Sequence, residues 1–254
     1  MHRVLPPLDR AALLLDLDGT LLDIAPRPDA VVVPPGLCEV LHALRRLLGD
    51  AVAVVTGRPV ETVDALLGDA VFAVAGEHGG AIRHQPGQSV ERPPLPSPPP
   101  GWLAAAERLA AAHPGVLLER KARGFALHYR AAPDAGQELR QALGNLLAGS
   151  ERFELLQAHM LWEVRPRGVD KGKAVVRLME SPPFLGRVPV FIGDDVTDED
   201  GIAAAAAMGG AGLRVQDAFG DAAGVRNWLT AIAAAGDWAG HMSPNGSGPR
   251  RTTM

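Results

Sequence analysis

The sequence predicts an α/β fold, a parallel-sheet core interrupted by an inserted α+β domain, and three observations carry that expectation. Four short runs, residues 11–17, 51–56, 71–75 and 188–193, are continuously apolar rather than alternating, apart from Asp16 and Thr56 at the ends of the first two. Continuous apolar strands belong to a sheet covered on both faces. Helical periodicity follows the first, second and fourth runs, at 35–48, 60–67 and 198–208. Strands alternating with helices imply right-handed crossovers and parallel pairing. Between residues 102 and 165 the order changes to helix-strand-strand, twice over.

The elements follow in order. The first run ends in LLLDLDGTLLD, where two acidic residues one apart precede a turn-permitting glycine. Pro34 and Pro35 introduce the first helix, and Pro59 opens the second, where a missing N–H costs nothing. RPPLPSPPPGW, residues 92–102, is too rich in proline for an element interior and reads as a stiff connector. Beyond it come a helix at 102–113, strands at 115–120 and 124–130, a helix at 134–147, and strands at 152–157 and 160–165. The parallel pattern resumes near Asp170. Residues 1–83 and 168–239 are therefore expected to form a discontinuous core and 84–167 the inserted domain, with a disordered tail at 240–254.

Composition narrows the function classes. The 254 residues are 47% hydrophobic and 21% charged, with net charge −4, so the chain lacks the basic footprint of a nucleic-acid binder. Cys38 is the one cysteine, which excludes an internal disulfide. The apolar start is short and broken by Asp16 and Asp18, unlike a secretory signal or membrane span. A cytoplasmic monomer acting on a small molecule is the expectation, with no nucleic-acid or membrane partner.

Candidate chemistry gathers at the carboxyl ends of the strands, where open parallel sheets place ligands. On its own, DLDG at 16–19 reads as a turn. Two carboxylates so close repel unless a cation lies between them or one is protonated. A metal-bound Asp16 could serve as nucleophile, with Asp18 giving and taking a proton. The second strand ends in VVTGR, where Thr56 offers a hydroxyl and Gly57 lets the backbone approach a ligand. Read alone, this is a helix cap, and Arg58 receives no role. The last strand ends in GDDVTDED, with Asp194, Asp195 and Asp198 near a helix start. Capping needs fewer acids, and with Asp16 and Asp18 they supply the hard oxygens that Mg2+ prefers. Lys171 at another helix start opposes the helix dipole, which makes sense opposite an anion. Lys173 is its neighbouring alternative. Carboxylates, a hydroxyl, a lysine and magnesium at one edge suit phosphoryl transfer. No GxxxxGK[ST] loop is present.

DLDGT, TGR, the KG lysine and GDDVTDE, in that order, resemble the four motifs of the haloacid dehalogenase superfamily of phosphatases. GEHGG (76–80), ERKARGFALHYR (119–130), EVRPRGVDKG (163–172) and PPFLGRVPVFIGDDVTDED (182–200) narrow the resemblance to the trehalose-6-phosphate phosphatases. It runs from about residue 13 to 228. It implies a Rossmann-like core with an inserted cap domain, and hydrolysis of trehalose 6-phosphate to trehalose and phosphate. Asp16 would attack phosphorus to form an aspartyl-phosphate. Asp18 would protonate the leaving sugar oxygen and later activate water. Thr56 and Lys171 would hold phosphoryl oxygens. Magnesium would bind Asp16, the Asp18 carbonyl and Asp194, with Asp195 and Asp198 completing or orienting its shell. His78, after a strand, falls where the family places a residue near the site.

Strand alternation assigns the cap face. In GFALHYR, Phe125, Leu127 and Tyr129 should pack on the cap helices and leave His128 and Arg130 on the free face. Glu163 and Arg165 share a face opposite Trp162 and Val164, and Glu119 and Lys121 share a parity. Polar groups of both signs on one sheet face suit a hydroxyl-rich disaccharide, although a solvated face would look the same. The remaining histidines, His159 among them, read as surface residues. Two alternatives stay open: another sugar-phosphate phosphatase of this superfamily, and a non-catalytic sugar-phosphate-binding module.

Overall fold

A computed structural model describes residues 5–238. The expected tail at 240–254 lies outside them. The core is a six-stranded sheet built from β1 (Ala11–Leu15), β2 (Val52–Val55), β3 (Ala73–Gly76), β4 (Ala81–Arg83), β9 (Val188–Gly193) and β10 (Ala211–Arg214). The strand order is β10-β9-β1-β2-β3-β4. All neighbours run parallel except β4, which pairs antiparallel with β3. The four continuous apolar runs are four of its strands. β4 escapes the sequence reading because three residues carry too little pattern, and β10 because its AGLR runs on from the Ala/Gly-rich stretch of α6.

β1 explains why such runs are apolar throughout. Ala11, Leu13 and Leu15 pack into one cluster with α1 (Leu37–Leu47) and α2 (Val60–Leu67), while Ala12 and Leu14 join a second cluster on the opposite face. That second face is closed by α5 (Lys171–Met179) and α6 (Glu199–Ala207), and α7 (Val215–Ala218) and α8 (Ala222–Ala235) complete the first. Every β1 side chain is fully buried. Each leucine so placed contributes about 1.5–3 kcal/mol. The strand is therefore a rigid support for whatever follows it.

The insert supplies the remaining elements. These are α3 (Pro100–Ala112), β5 (Leu117–Lys121), β6 (Gly124–His128), α4 (Gly136–Leu146), β7 (Phe153–Ala158) and β8 (Leu161–Pro166). Its strands form an antiparallel sheet of order β5-β6-β8-β7. Phe125, Leu127, Tyr129, Trp162 and Val164 pack with Leu139 and Leu143 of α4, as the alternation predicts. The opposite face of this sheet looks across at the carboxyl ends of the core strands. The apolar stretch at 202–213 is α6 followed by β10. No helix among the described residues is long and apolar enough to cross a membrane.

Candidate active site

Three strand ends and one helix start build the floor. β1 continues into Asp16, whose N–H donates to the Ile192 carbonyl at 2.9 Å and holds it in register with β9. Asp18 begins the turn, and Gly19 has φ +85°. A Cβ at Gly19 would collide with the Asp194 carboxylate, so glycine is required there both for conformation and for the approach of Asp194. At the end of β2, the Thr56 N–H donates to Ala75 and its Oγ1 accepts from the Arg58 N–H at 3.2 Å. Thr56 is 1% exposed, Asp16 4% and Lys171 3%.

Lys171 is the first residue of α5, capped by Asp170, which accepts from the Lys173 N–H. Its Nζ lies 2.6 Å from Asp16 Oδ1 and 2.6 Å from Asp198 Oδ1, joining β1 to the segment after β9. Lys173 instead pairs with Asp170 on the surface, and of the two lysines Lys171 lines the cavity. Asp198 is fully buried and also accepts the N–H groups of Asp194 and Asp195, at 3.1 and 3.0 Å. It works from beneath the cavity.

The electrostatics of this floor are strained. Burial, then the charges of Asp198 and Asp194, push the Asp16 carboxyl well above the ordinary carboxylate range against the pull of Lys171. Burial, then Asp198 and Asp195, push Asp194 up to about 7. Burial opposes the charge on Lys171, yet Asp16 and Asp198 outweigh it and raise its pKa. Oxygens of Asp16, Asp194 and Asp198 all lie within 4.8 Å of one another. Asp194 Oδ1 is buried with no hydrogen-bond partner. A hard divalent cation fits this donor set, because it would satisfy that oxygen and neutralise the crowded carboxylates. The carboxylates of Asp18 and Asp195 lie elsewhere. Asp195 caps the short helix after β9 by accepting from the Val196 N–H at 2.7 Å.

Asp18 is held by the residue that the sequence reading passed over. Arg58 Nε and Nη2 reach its two oxygens at 2.6 and 2.7 Å, a bidentate clamp between two strand ends. The signal was the R of TGR, but forty residues of sequence separate the partners.

The insert forms the roof. Lys121 Nζ donates to Glu163 at 2.6 Å and reaches the Gly57 carbonyl at 3.4 Å. Glu163 also lies 3.5 Å from His78 Nε2, on the core. Despite its burial, Lys121 and His78 hold the Glu163 carboxyl far below its usual value. Burial lowers the pKa of His78 against the pull of Glu163. His78 has φ +55°, and a Cβ on Gly57 would lie 2.7 Å from its ring, so this histidine is wedged against the TGR turn. Glu119 pairs with His128 at 2.8 Å. Arg130 Nη1 donates across to the Ala25 carbonyl of the core.

A cavity of about 170 Å³ lies between floor and roof. It is lined by Asp16, Asp18, Thr56, Gly57, His78, Lys171, Asp194 and Asp195 below and by Glu119, Lys121, His128, Arg130 and Glu163 above. Arg165 is the predicted residue that stands apart. It shares the face of Glu163 but lies two residues, about 7 Å, further along the strand. There Glu154, directly across on β7, takes its guanidinium at 2.9 Å, and Arg165 lines a separate small pocket. His159 is exposed, as the sequence predicts, and also borders the cavity from the β7–β8 turn, while Ile24, Pro26 and Val31 line it from the loop after β1.

With this geometry in view, the trehalose-phosphatase family matches residues 14–212. The chain belongs to the trehalose-phosphatase family. It is 41% identical over 210 residues to a probable trehalose-phosphate phosphatase of Sinorhizobium fredii (strain NBRC 101917 / NGR234), covering 82% of this chain and 78% of that one. It is 37% identical over 205 residues to the trehalose-6-phosphate phosphatase of Escherichia coli (strain K12), covering 80% and 77%. Among solved structures, the C-terminal domain of the C. albicans trehalose-6-phosphate phosphatase superposes with a TM-score of 0.68 at 24% identity, covering 77% of this chain and 73% of that one. The sucrose-phosphatase of Synechocystis sp. PCC6803 superposes with a TM-score of 0.53 at 15% identity, covering 90% and 98%. These structural likenesses show that the fold is shared. Membership of the trehalose-phosphatase family makes the chain a phosphoric monoester hydrolase.

Proposed function

We propose that this chain hydrolyses trehalose 6-phosphate to trehalose and phosphate through an aspartyl-phosphate on Asp16. The observation that carries the reading is Lys171, which bridges Asp16 and Asp198 at the bottom of a cavity roofed by polar groups of both signs. In this reading residues 1–83 and 168–239 are the core and 84–167 the cap. The protein acts as a cytoplasmic monomer on a small molecule, without nucleic-acid or membrane partners.

An Asp16 carboxylate oxygen attacks phosphorus, and the bond to the sugar oxygen breaks as Asp18 supplies it a proton. Asp18 then takes a proton from the water that attacks phosphorus, releasing phosphate and regenerating Asp16. Because Asp18 engages Arg58 through both oxygens, its proton transfers require that pair to part as substrate enters. Thr56 Oγ1 and Lys171 Nζ hold phosphoryl oxygens and offset their charge. Mg2+ would be held by Asp16, Asp194 and the Asp18 carbonyl, with Asp198 orienting the group from below, and would supply charge neutralisation at the phosphoryl group. The roof orients the sugar hydroxyls and excludes water. Glu163 and Lys121, already within reach of His78 and Gly57, are the roof residues nearest the floor.

The test is phosphate release from a panel comprising trehalose 6-phosphate, sucrose 6-phosphate, glucose 6-phosphate and p-nitrophenyl phosphate, each with magnesium. A preference for trehalose 6-phosphate supports the reading. A preference for another phosphorylated sugar moves the assignment to that substrate, and absence of turnover on all four favours a binding module.

A further inference from the structure

Resting on that reading of the substrate, we propose that the loop after β1 forms a specificity wall for the non-phosphorylated sugar ring, set in place by Arg130. The wall consists of Ile24, Pro26 and Val31, which line the cavity from the core side. Across from them stand His159 and Leu161, at the β7–β8 turn of the insert.

Depth orders the two ends of the cavity. Thr56, Lys171 and Asp16 are almost wholly buried, so the phosphoryl group belongs at the bottom. Ile24, which also lines the cavity, is 43% exposed and so marks its mouth. The insert shows the same direction. Glu163 pairs with Ala126 of β6, and His128 lies two residues further, about 7 Å along the strand, with Arg130 beyond it. The roof therefore extends past the length of one sugar ring, and its far end meets the wall. Aliphatic and proline surface facing an imidazole suits the C–H face and the rim hydroxyls of a second ring, the mix of apolar walls and few polar groups found in small-molecule sites.

The wall is anchored twice. At its base, Arg226 of α8 donates to the Leu21 carbonyl at 3.1 Å and to Asp23 Oδ1 at 3.2 Å. At Ala25 the anchor is Arg130, which belongs to the insert. The first contact is internal to the core, whereas the second exists only while the insert sits over the floor. Arg130 is thus a positioning residue: seating the insert and setting the wall are one event.

Steady-state kinetics with trehalose 6-phosphate, glucose 6-phosphate and p-nitrophenyl phosphate test this on wild type, Ile24→Ser, Arg130→Met and the double variant. Ile24 is exposed, so its substitution leaves the fold intact, and Arg130→Lys retains one donor for the Ala25 carbonyl. The expected result is a roughly tenfold fall in kcat/KM for trehalose 6-phosphate relative to p-nitrophenyl phosphate in each single variant, expressed chiefly in KM. The double variant should be no worse than the singles, and Arg130→Lys should recover part of the loss. An equal loss on all three substrates, no loss, or additive losses in the double variant would overturn the proposal. Wild type that ignores trehalose 6-phosphate but hydrolyses another phosphorylated disaccharide overturns the substrate reading instead, and the same ratios on that substrate then judge the wall.

Discussion

The floor and the roof of the cavity are both crowded with charge, but they are built differently. On the floor, the charged side chains sit just beyond the ends of buried core strands or, for Lys171, at the start of α5, and the core fixes their positions. On the roof, charges are fixed by one another: Lys121 by Glu163 and His128 by Glu119. The roof pairs are internally neutralised, whereas the floor sets Asp16, Asp194 and Asp198 against a single lysine. Uncompensated negative charge belongs where a cation binds, and balanced polarity belongs where hydroxyls bind. The difference teaches that one site combines a reaction centre that needs a partner with a recognition surface that is already complete.

Four experiments sharpen that contrast. The largest effect is expected from Asp16→Asn, which removes the nucleophile: phosphate release should fall by at least about a thousandfold on every substrate, with the thermal midpoint held or raised as one of the crowded carboxylates is neutralised. Lys171→Met comes next. It leaves Asp16 and Asp198 unpaired in a buried site, so activity should fall by about a hundredfold or more. Unfolding by urea should register a loss of about 3–5 kcal/mol unless magnesium is present.

Glu163→Gln is the corresponding change in the roof. It removes the charge that pairs with Lys121 and neighbours His78. Turnover of trehalose 6-phosphate should drop about tenfold more than that of p-nitrophenyl phosphate, a ratio read directly from parallel assays. Equal losses would place Glu163 in the fold rather than in recognition.

The smallest effect is on stability against pH. Asp194 has its pKa raised from 3.8 to about 7, and Asp16 shifts in the same direction. A raised carboxyl pKa means that the folded state holds a proton that the unfolded state releases. Its stabilising contribution is fully present below pH 3.8 and is lost as pH rises through about 7. Metal-free protein should therefore lose thermal stability across that window from this group. Magnesium should raise the thermal midpoint more at the upper end than at the lower, because it favours the ionised carboxylates. A magnesium shift independent of pH would contradict the coupling.

The core was legible where strands are long and buried on both faces. β1 and β9 announce themselves as apolar runs because every residue of β1 and all of β9 but Val188 is buried. β4 has only three residues, and β10 merges with the Ala/Gly-rich stretch of α6 before it, so neither stands out by its own pattern. The floor residues were readable because each sits in a short motif at a strand end or, for Lys171, at a helix start. The roof was readable by alternation, which sorted Phe125 and Leu127 from His128. Alternation gives a side but not a distance along the strand, so it grouped Arg165 with Glu163. Contacts between distant segments left no local mark at all: Arg58 on Asp18, Arg130 on Ala25, and His159 over the cavity.

The central claim is that Asp16 is the nucleophile of a trehalose 6-phosphate phosphatase. Its most direct test is phosphate release from trehalose 6-phosphate in the presence of magnesium, comparing wild type with Asp16→Asn at matched folding. The account predicts rapid release by wild type and background release by the variant. Comparable release by both proteins would contradict it.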